Sequence, residues 1–258
     1  MMNLKLQDME TLEGFKKADT SSWETLQQSI YVRIMNEKYL EYYNPDIAHS
    51  KFMDLVYTVA VQEHDRECFR SHMLTNQELE EYDVSFDDIL VQAMNNSSHD
   101  RNKRLMRMRD SLMMRENPIS PLCVSIPKDM PLMVGKGQPG IIRDIDEDDN
   151  ENVLVVRNSK GPLGSAYGFL QSTLDEVYER FNKTNFYILP MSVDEVMFVS
   201  EKYATHNHSI PQEYVEDDLL DMIECNNDAK DSDWKNVLSY RIYYYLGDDG
   251  KRVFPIKR

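Results

Sequence analysis

The feature that most constrains this chain is the stretch from Asn152 to Val199, where strand and helix patterns alternate at close spacing. Val153, Leu154, Val155 and Val156 form a short apolar run stopped by an Asn-Ser-Lys-Gly turn at Asn158 to Gly161, which reads as a strand. Ser165 to Phe181 then sets Ala166, Phe169, Leu170, Leu174, Val177 and Phe181 on one side at helical spacing. Phe186 to Leu189 and Val193 to Val199 read as further strands separated by Pro190. Strands recurring around a helix need a sheet with helices packed against it.

The N-terminal half uses the same elements. From Trp23 to Tyr43, Trp23, Leu26, Ile30, Ile34 and Tyr39 recur near helical spacing, so a helix is favoured, with alternation over Ile30 to Met35 as the strand alternative. Phe52 to Val61 reads as a strand, and Cys68 to Leu74 as a second one pairing with it. Thr75 with Glu78, and Ser85 with Asp88, have the spacing of helix caps. Pro211 opens a later helix carrying Val215, Leu219, Leu220, Met222 and Ile223. Val237 to Leu246, a Gly-Asp-Asp-Gly turn and Arg252 to Ile256 form a closing hairpin. The expected fold class is α+β, a mixed sheet with helices packed on it and a C-terminal β-hairpin. Five prolines between Asn117 and Gly140, followed by an acidic run to Glu151, divide the chain. Its regions are a partly ordered segment 1–22, an N-terminal α+β region 23–116, a connection 117–151 and a C-terminal α+β region 152–258.

Composition narrows the function. With 258 residues and 41% hydrophobic content, a real core is available. The balance of 29 Lys plus Arg against 45 Asp plus Glu leaves a formal charge of −16, which repels phosphates and argues against general nucleic-acid binding. Cys68, Cys123 and Cys225 are odd in number and far apart, so they are expected to be reduced and mostly buried, with no zinc or redox pair. No secretory signal pattern and no apolar run near the roughly 20 residues of a membrane helix is present, so the expected protein is cytoplasmic and prokaryotic, or belongs to a genetic element carried by a prokaryote.

Several groupings resemble sites and fall short. Asp144, Asp146 and Asp148 alternate like calcium-loop ligands, but Asp149 stands where the glycine is needed and Val155 where the closing Glu belongs. His206 with His208, and His64 with His72, lack metal-site partners in sequence, so no metal is assigned. The glycines from Gly161 to Gly168 lack the order of a nucleotide loop and read as a tight, closely packed turn, so no cofactor is assigned. Two groups remain as candidate binding residues, and none is assigned as catalytic. Ser192, Asp194 and Glu195 are a compact polar cluster among apolar strands, although Asp194 and Glu195 would point to opposite faces of a strand. Arg101, Arg104, Arg107 and Met108 belong to the one strongly basic stretch, Arg101 to Arg115, read as a Met-rich helix that docks internally or meets an acidic partner.

Three motifs carry a family resemblance. The strand, Asn turn and Gly helix from Val153 to Phe169, the Tyr-Ile-Leu-Pro-x-Ser-x-x-Glu-Val segment from Tyr187 to Val196, and the strand start Val237 to Ser239 resemble a clostridial domain family of unknown function. The resemblance implies a cytoplasmic protein, often encoded near mobile-element genes in gut anaerobes, with no assigned activity. Members tend to read Pro-Ser-Ser-x-His-Glu where this chain has Pro190, Met191, Ser192, Val193, Asp194 and Glu195, so Asp194 replaces a group that titrates near neutral pH. The expected function is a non-enzymatic protein-interaction or accessory protein of a bacterium or mobile element, binding another protein through its acidic surface or the Arg- and Met-rich segment. The alternatives are an acidic, nucleic-acid-mimicking inhibitor of a host defence or nucleic-acid enzyme, and a hydrolase or transferase with a site near Ser192.

Overall fold

Ile30, Val32 and Ile34 are buried and alternate with the partly exposed Tyr31 and Arg33, and this period of two builds β1 (Ile30–Asn36) between short helices α1 (Trp23–Leu26) and α2 (Glu37–Leu40). The computed structural model describes residues 22–40, 42, 44–64, 69–108, 110–111, 152–159, 164–206, 212–228, 237–247 and 252–256. The helix favoured for this stretch is therefore a strand. β-Branched residues are held to few rotamers in a helix and pack well on a pleated surface, and here a partner strand is present. That partner is β3 (Leu55–His64), with Ile30 opposite Val61 and Asn36 opposite Leu55. The other edge of β3 is shared by β2 (His49–Phe52) and β4 (Phe69–Met73), both antiparallel to it. Helices α3 (Asn76–Tyr82) and α4 (Phe86–Ser98) follow, capped as their sequences imply. Thr75 accepts the Glu78 amide at 3.2 Å while Glu78 accepts the Thr75 amide at 2.8 Å, and Ser85 accepts the Asp88 amide.

The second sheet has six strands in the order β10-β9-β7-β8-β6-β5: β5 (Lys103–Arg107), β6 (Val153–Asn158), β7 (Phe186–Leu189), β8 (Glu195–Ser200), β9 (Tyr243–Leu246) and β10 (Arg252–Pro255). A 3-10 helix (Gly164–Phe169) and α5 (Gln171–Arg180) link β6 to β7, and α6 (Glu201–His206) and α7 (Gln212–Asp228) follow β8. The α+β class and the closing hairpin β9-β10 are present, but each described strand pairing is antiparallel, which corrects the expected mixed sheet. The cause is topological. The helical crossover makes β6 and β7 parallel to each other, and β8 then returns between them and pairs antiparallel with both.

Both faces of this sheet are covered, which is why its strands read as unbroken apolar runs. Leu154, Val156, Phe186, Ile188, Val196 and Phe198 face a core closed by the four-stranded sheet, α4, the 3-10 helix and α5. Val153, Val155, Tyr187, Leu189, Met197 and Val199 face a second core under Tyr203 of α6 and Val215, Leu219 and Ile223 of α7. At the seam between the sheets the Phe169 ring sits 6.1 Å from Phe52 and 5.5 Å from Tyr243. Asp54 accepts hydrogen bonds there from Ser239 Oγ at 2.8 Å and Tyr243 OH at 2.6 Å, and Asn36 donates to the Leu238 carbonyl at 3.0 Å. Replacing Asp54 with Ala strands two hydroxyls of fully buried residues and is expected to cost about 2 kcal/mol in denaturant unfolding, whereas a loss under about 0.5 kcal/mol would show that the pair re-partners freely.

The basic stretch is not a helix where it is described from Lys103 to Arg107. It forms the edge strand β5, with Leu105 directed to the first core and Met106 buried, because β6 offers an open edge from Leu154 to Asn158. Charged side chains then guard the outer edge of the sheet. Cys225 is exposed on α7, contrary to the expectation of burial, because it lies on the side of the helix away from Leu219 and Ile223. The connection 117–151 with its aspartates, residues 1–21, Cys68, Cys123, Gly161, His208 and the 248–250 turn lie outside the described residues.

Candidate functional site

The chain turns sharply where α4 ends, because the His99 and Asp100 amides satisfy the last helical carbonyls and Arg101 and Asn102 then lead into β5. The His99 amide reaches the Asn95 and Asn96 carbonyls, and the Asp100 amide reaches that of Ser97. Asp100 Oδ1 accepts the Asn102 amide at 2.8 Å, a local turn that fixes its carboxylate. Across the gap stands β1, tied to α4 by Asn96, whose side-chain amide donates to the Gln27 and Ile30 carbonyls at 2.8 and 2.9 Å.

These elements border an open cleft of about 400 Å³ lined by Gln28, Tyr31, Asn96, His99, Asp100, Arg101 and Asn102. Behind it Tyr167, on the 3-10 helix, donates its hydroxyl to Asp100 Oδ2 and receives the Asn158 side-chain amide at 3.3 Å. Four segments far apart in sequence thus converge at the seam of the two sheets. Burial raises the Tyr31 and Tyr167 hydroxyls above the usual tyrosine value, and the Asp100 charge beside them raises both further. Among the described residues, the side chains of Gln28, Arg101 and Asn102 and the Tyr31 hydroxyl have no hydrogen-bond partner, so they are available to a ligand.

Of the residues singled out from sequence, Arg101 alone lines this cleft. Arg104 is exposed and folds back on the Lys103 carbonyl at 2.9 Å, and Arg180 covers the Leu105 carbonyl at 3.2 Å, so guanidinium groups occupy two edge carbonyls of β5. Arg107 stands 3.9 Å from Asp110, and Met108 packs against the second core. Ser192 is buried in the turn between β7 and β8, where its hydroxyl accepts the Asp194 amide at 3.1 Å. Asp194 is exposed and Glu195 half-buried at the start of β8. Gly164 explains the tightness of that turn: a Cβ there would overlap the Asp194 carbonyl oxygen and the Asn158 amide nitrogen. His72 meets Glu78 at 3.3 Å.

Tyr31, His99, Asp100 and Tyr167 went unnoticed in the sequence. The one local sign of them is a run of four polar residues, His-Asp-Arg-Asn, between a helix and an edge strand.

The molecule is an α+β protein of two antiparallel sheets with a polar cleft at their seam. The chain belongs to the family described as Family of unknown function (DUF5688), whose model matches residues 2–246. No curated protein and no solved structure matches it. Among the described residues no helix is long and apolar enough to cross a membrane.

Proposed function

We propose that this chain is a cytoplasmic, non-enzymatic accessory protein, of a clostridial bacterium or of a mobile element carried by one, that acts by binding another protein at the mouth of the α4 cleft. The observation that supports this reading is the unspent hydrogen-bonding capacity around the cleft, at Gln28, Tyr31, Arg101 and Asn102. Arg101 stands exposed at the mouth, a cation on a molecule whose formal net charge is −16. A local reversal of charge of this kind selects and orients a partner. Ser192, Asp194 and Glu195 close the β7-β8 turn, which the Ser165 amide ties to the 3-10 helix through the Val193 carbonyl.

The test is capture from native lysate with tagged protein, quantified at low and high salt, beside Arg101→Glu and the surface control Glu176→Gln. A stoichiometric partner is expected with the wild type and the control, and reduced about tenfold with Arg101→Glu. Equal capture by all three proteins would remove the cleft mouth from the contact. A nucleic-acid enzyme released at high salt would instead favour the mimic, since ions screen exposed charge pairs.

A further inference from the structure

The interior of the cleft differs in character from its rim. Arg101 is exposed, whereas Asp100 beside it is half-buried and presents a carboxylate. Tyr167 holds one carboxylate oxygen and the Asn102 amide the other, which sets the plane of the group and leaves each oxygen a free lone pair. His99 Nδ1 lies 2.9 Å from the Asn95 carbonyl. A carbonyl can only accept, so Nδ1 carries a proton and the ring is tied back to the helix. The negative end of the 13-residue helix α4 lies at the same place, and the Tyr31 ring forms a wall.

A carboxylate, a helix C-terminus and an aromatic face all attract a cation. Among the described residues Asp100 makes no salt bridge; its partners are a phenol and a backbone amide. We infer that the cleft binds a primary ammonium group, held by the Asp100 carboxylate against the Tyr31 ring. The volume suits a ligand the size of an amino acid or a lysine side chain with its flanking backbone. Arg101 at the rim then faces any carboxylate that the ligand carries. This inference rests on the partner-binding reading only for the lysine of a bound protein as one source of the ammonium; a free amino acid is the other.

The test is titration of the full chain by calorimetry and NMR with N-acetyl-lysine methylamide, alanine, the neutral Nε-acetylated lysine derivative and acetate. Saturable binding is expected for the lysine derivative if the source is a side chain, or for alanine if it is a free amino acid, with none for the neutral compound. Asp100→Asn should weaken the bound probe about tenfold, and Tyr31→Leu, which removes the aromatic wall, should weaken it severalfold. The inference is overturned if neither ammonium probe saturates, if the acetylated compound or acetate binds as well as the ammonium, or if a folded Asp100→Asn protein binds unchanged. Those outcomes would leave an Arg101-dependent partner in place, so the two readings fail separately.

Discussion

Gly164→Ala is expected to lower stability by about 3 kcal/mol and the melting temperature by roughly 6–12 °C, more than an ordinary surface change. The added methyl would overlap the Asp194 carbonyl oxygen and the Asn158 amide nitrogen and lie 2.7 Å from Arg157 Cα. All three atoms are backbone, so no rotamer change relieves the overlap. Arg157 and Asn158 are pinned in β6, and the Asp194 turn is closed by Ser192 bonding to the Glu195 carbonyl and by Ser165 bonding to the Val193 carbonyl. The 3-10 helix must move away from the sheet, and Tyr167 moves with it. The consequence reaches the cleft, because Tyr167 holds the Asp100 carboxylate. Gly168→Ala is the informative comparison. Its methyl would meet the Val196 side chain at 2.7 to 2.9 Å, and a side chain can shift, so a loss of about 1–2 kcal/mol is expected. Denaturant unfolding of both variants decides the matter; a Gly164→Ala protein as stable as Gly168→Ala would mean that the close approach does not explain the glycine.

Where one stretch of chain contains both the pattern and its cause, the fold can be read from it. The Thr75-Glu78 box, the Pro190 break and the apolar strands from Val153 to Val199 are local, and each is formed as the residues imply. The strands β1 and β5 are different. Ile30 and Ile34 fit a helix as well as a strand, and β3 decides between them; Lys103 to Arg107 has no strand pattern of its own and is drawn into the sheet by the open edge of β6. The cleft depends on those two outcomes together. Tyr31 comes from β1, Asp100 from the turn before β5, and Tyr167 from the helix that the Gly164 contact seats. A search for residues close in sequence therefore finds Arg101 and passes over its neighbours in space.

Alkaline pH should unfold this protein cooperatively. Tyr57, Tyr167 and Tyr243 are buried, and each hydroxyl is held well above the usual tyrosine value near 10, by burial first, with Asp100 adding to the effect at Tyr167 and Asp54 at Tyr243. The sign follows from proton counts. Below pH 10 both folded and unfolded chains keep these protons, so the contribution to stability is fully present. Above that point the unfolded chain releases them and the folded one does not, so stability falls as pH rises. Each phenol contributes about 1.4 kcal/mol per pH unit, and the three together about 4 kcal/mol per unit. Against a net stability of about 5–15 kcal/mol, a rise of two to three units removes about 8–12 kcal/mol, which unfolds a chain of average stability. Tyr244 is raised by burial and by its bond to Glu201 at 2.7 Å, but it is partly exposed and contributes less through solvent screening. Tyrosinate absorbance should show a cooperative step that coincides with loss of near-UV circular dichroism. A smooth titration of all 15 tyrosines with the dichroism intact would contradict the burial of these three rings, and with it the seam that places Tyr167 behind the cleft.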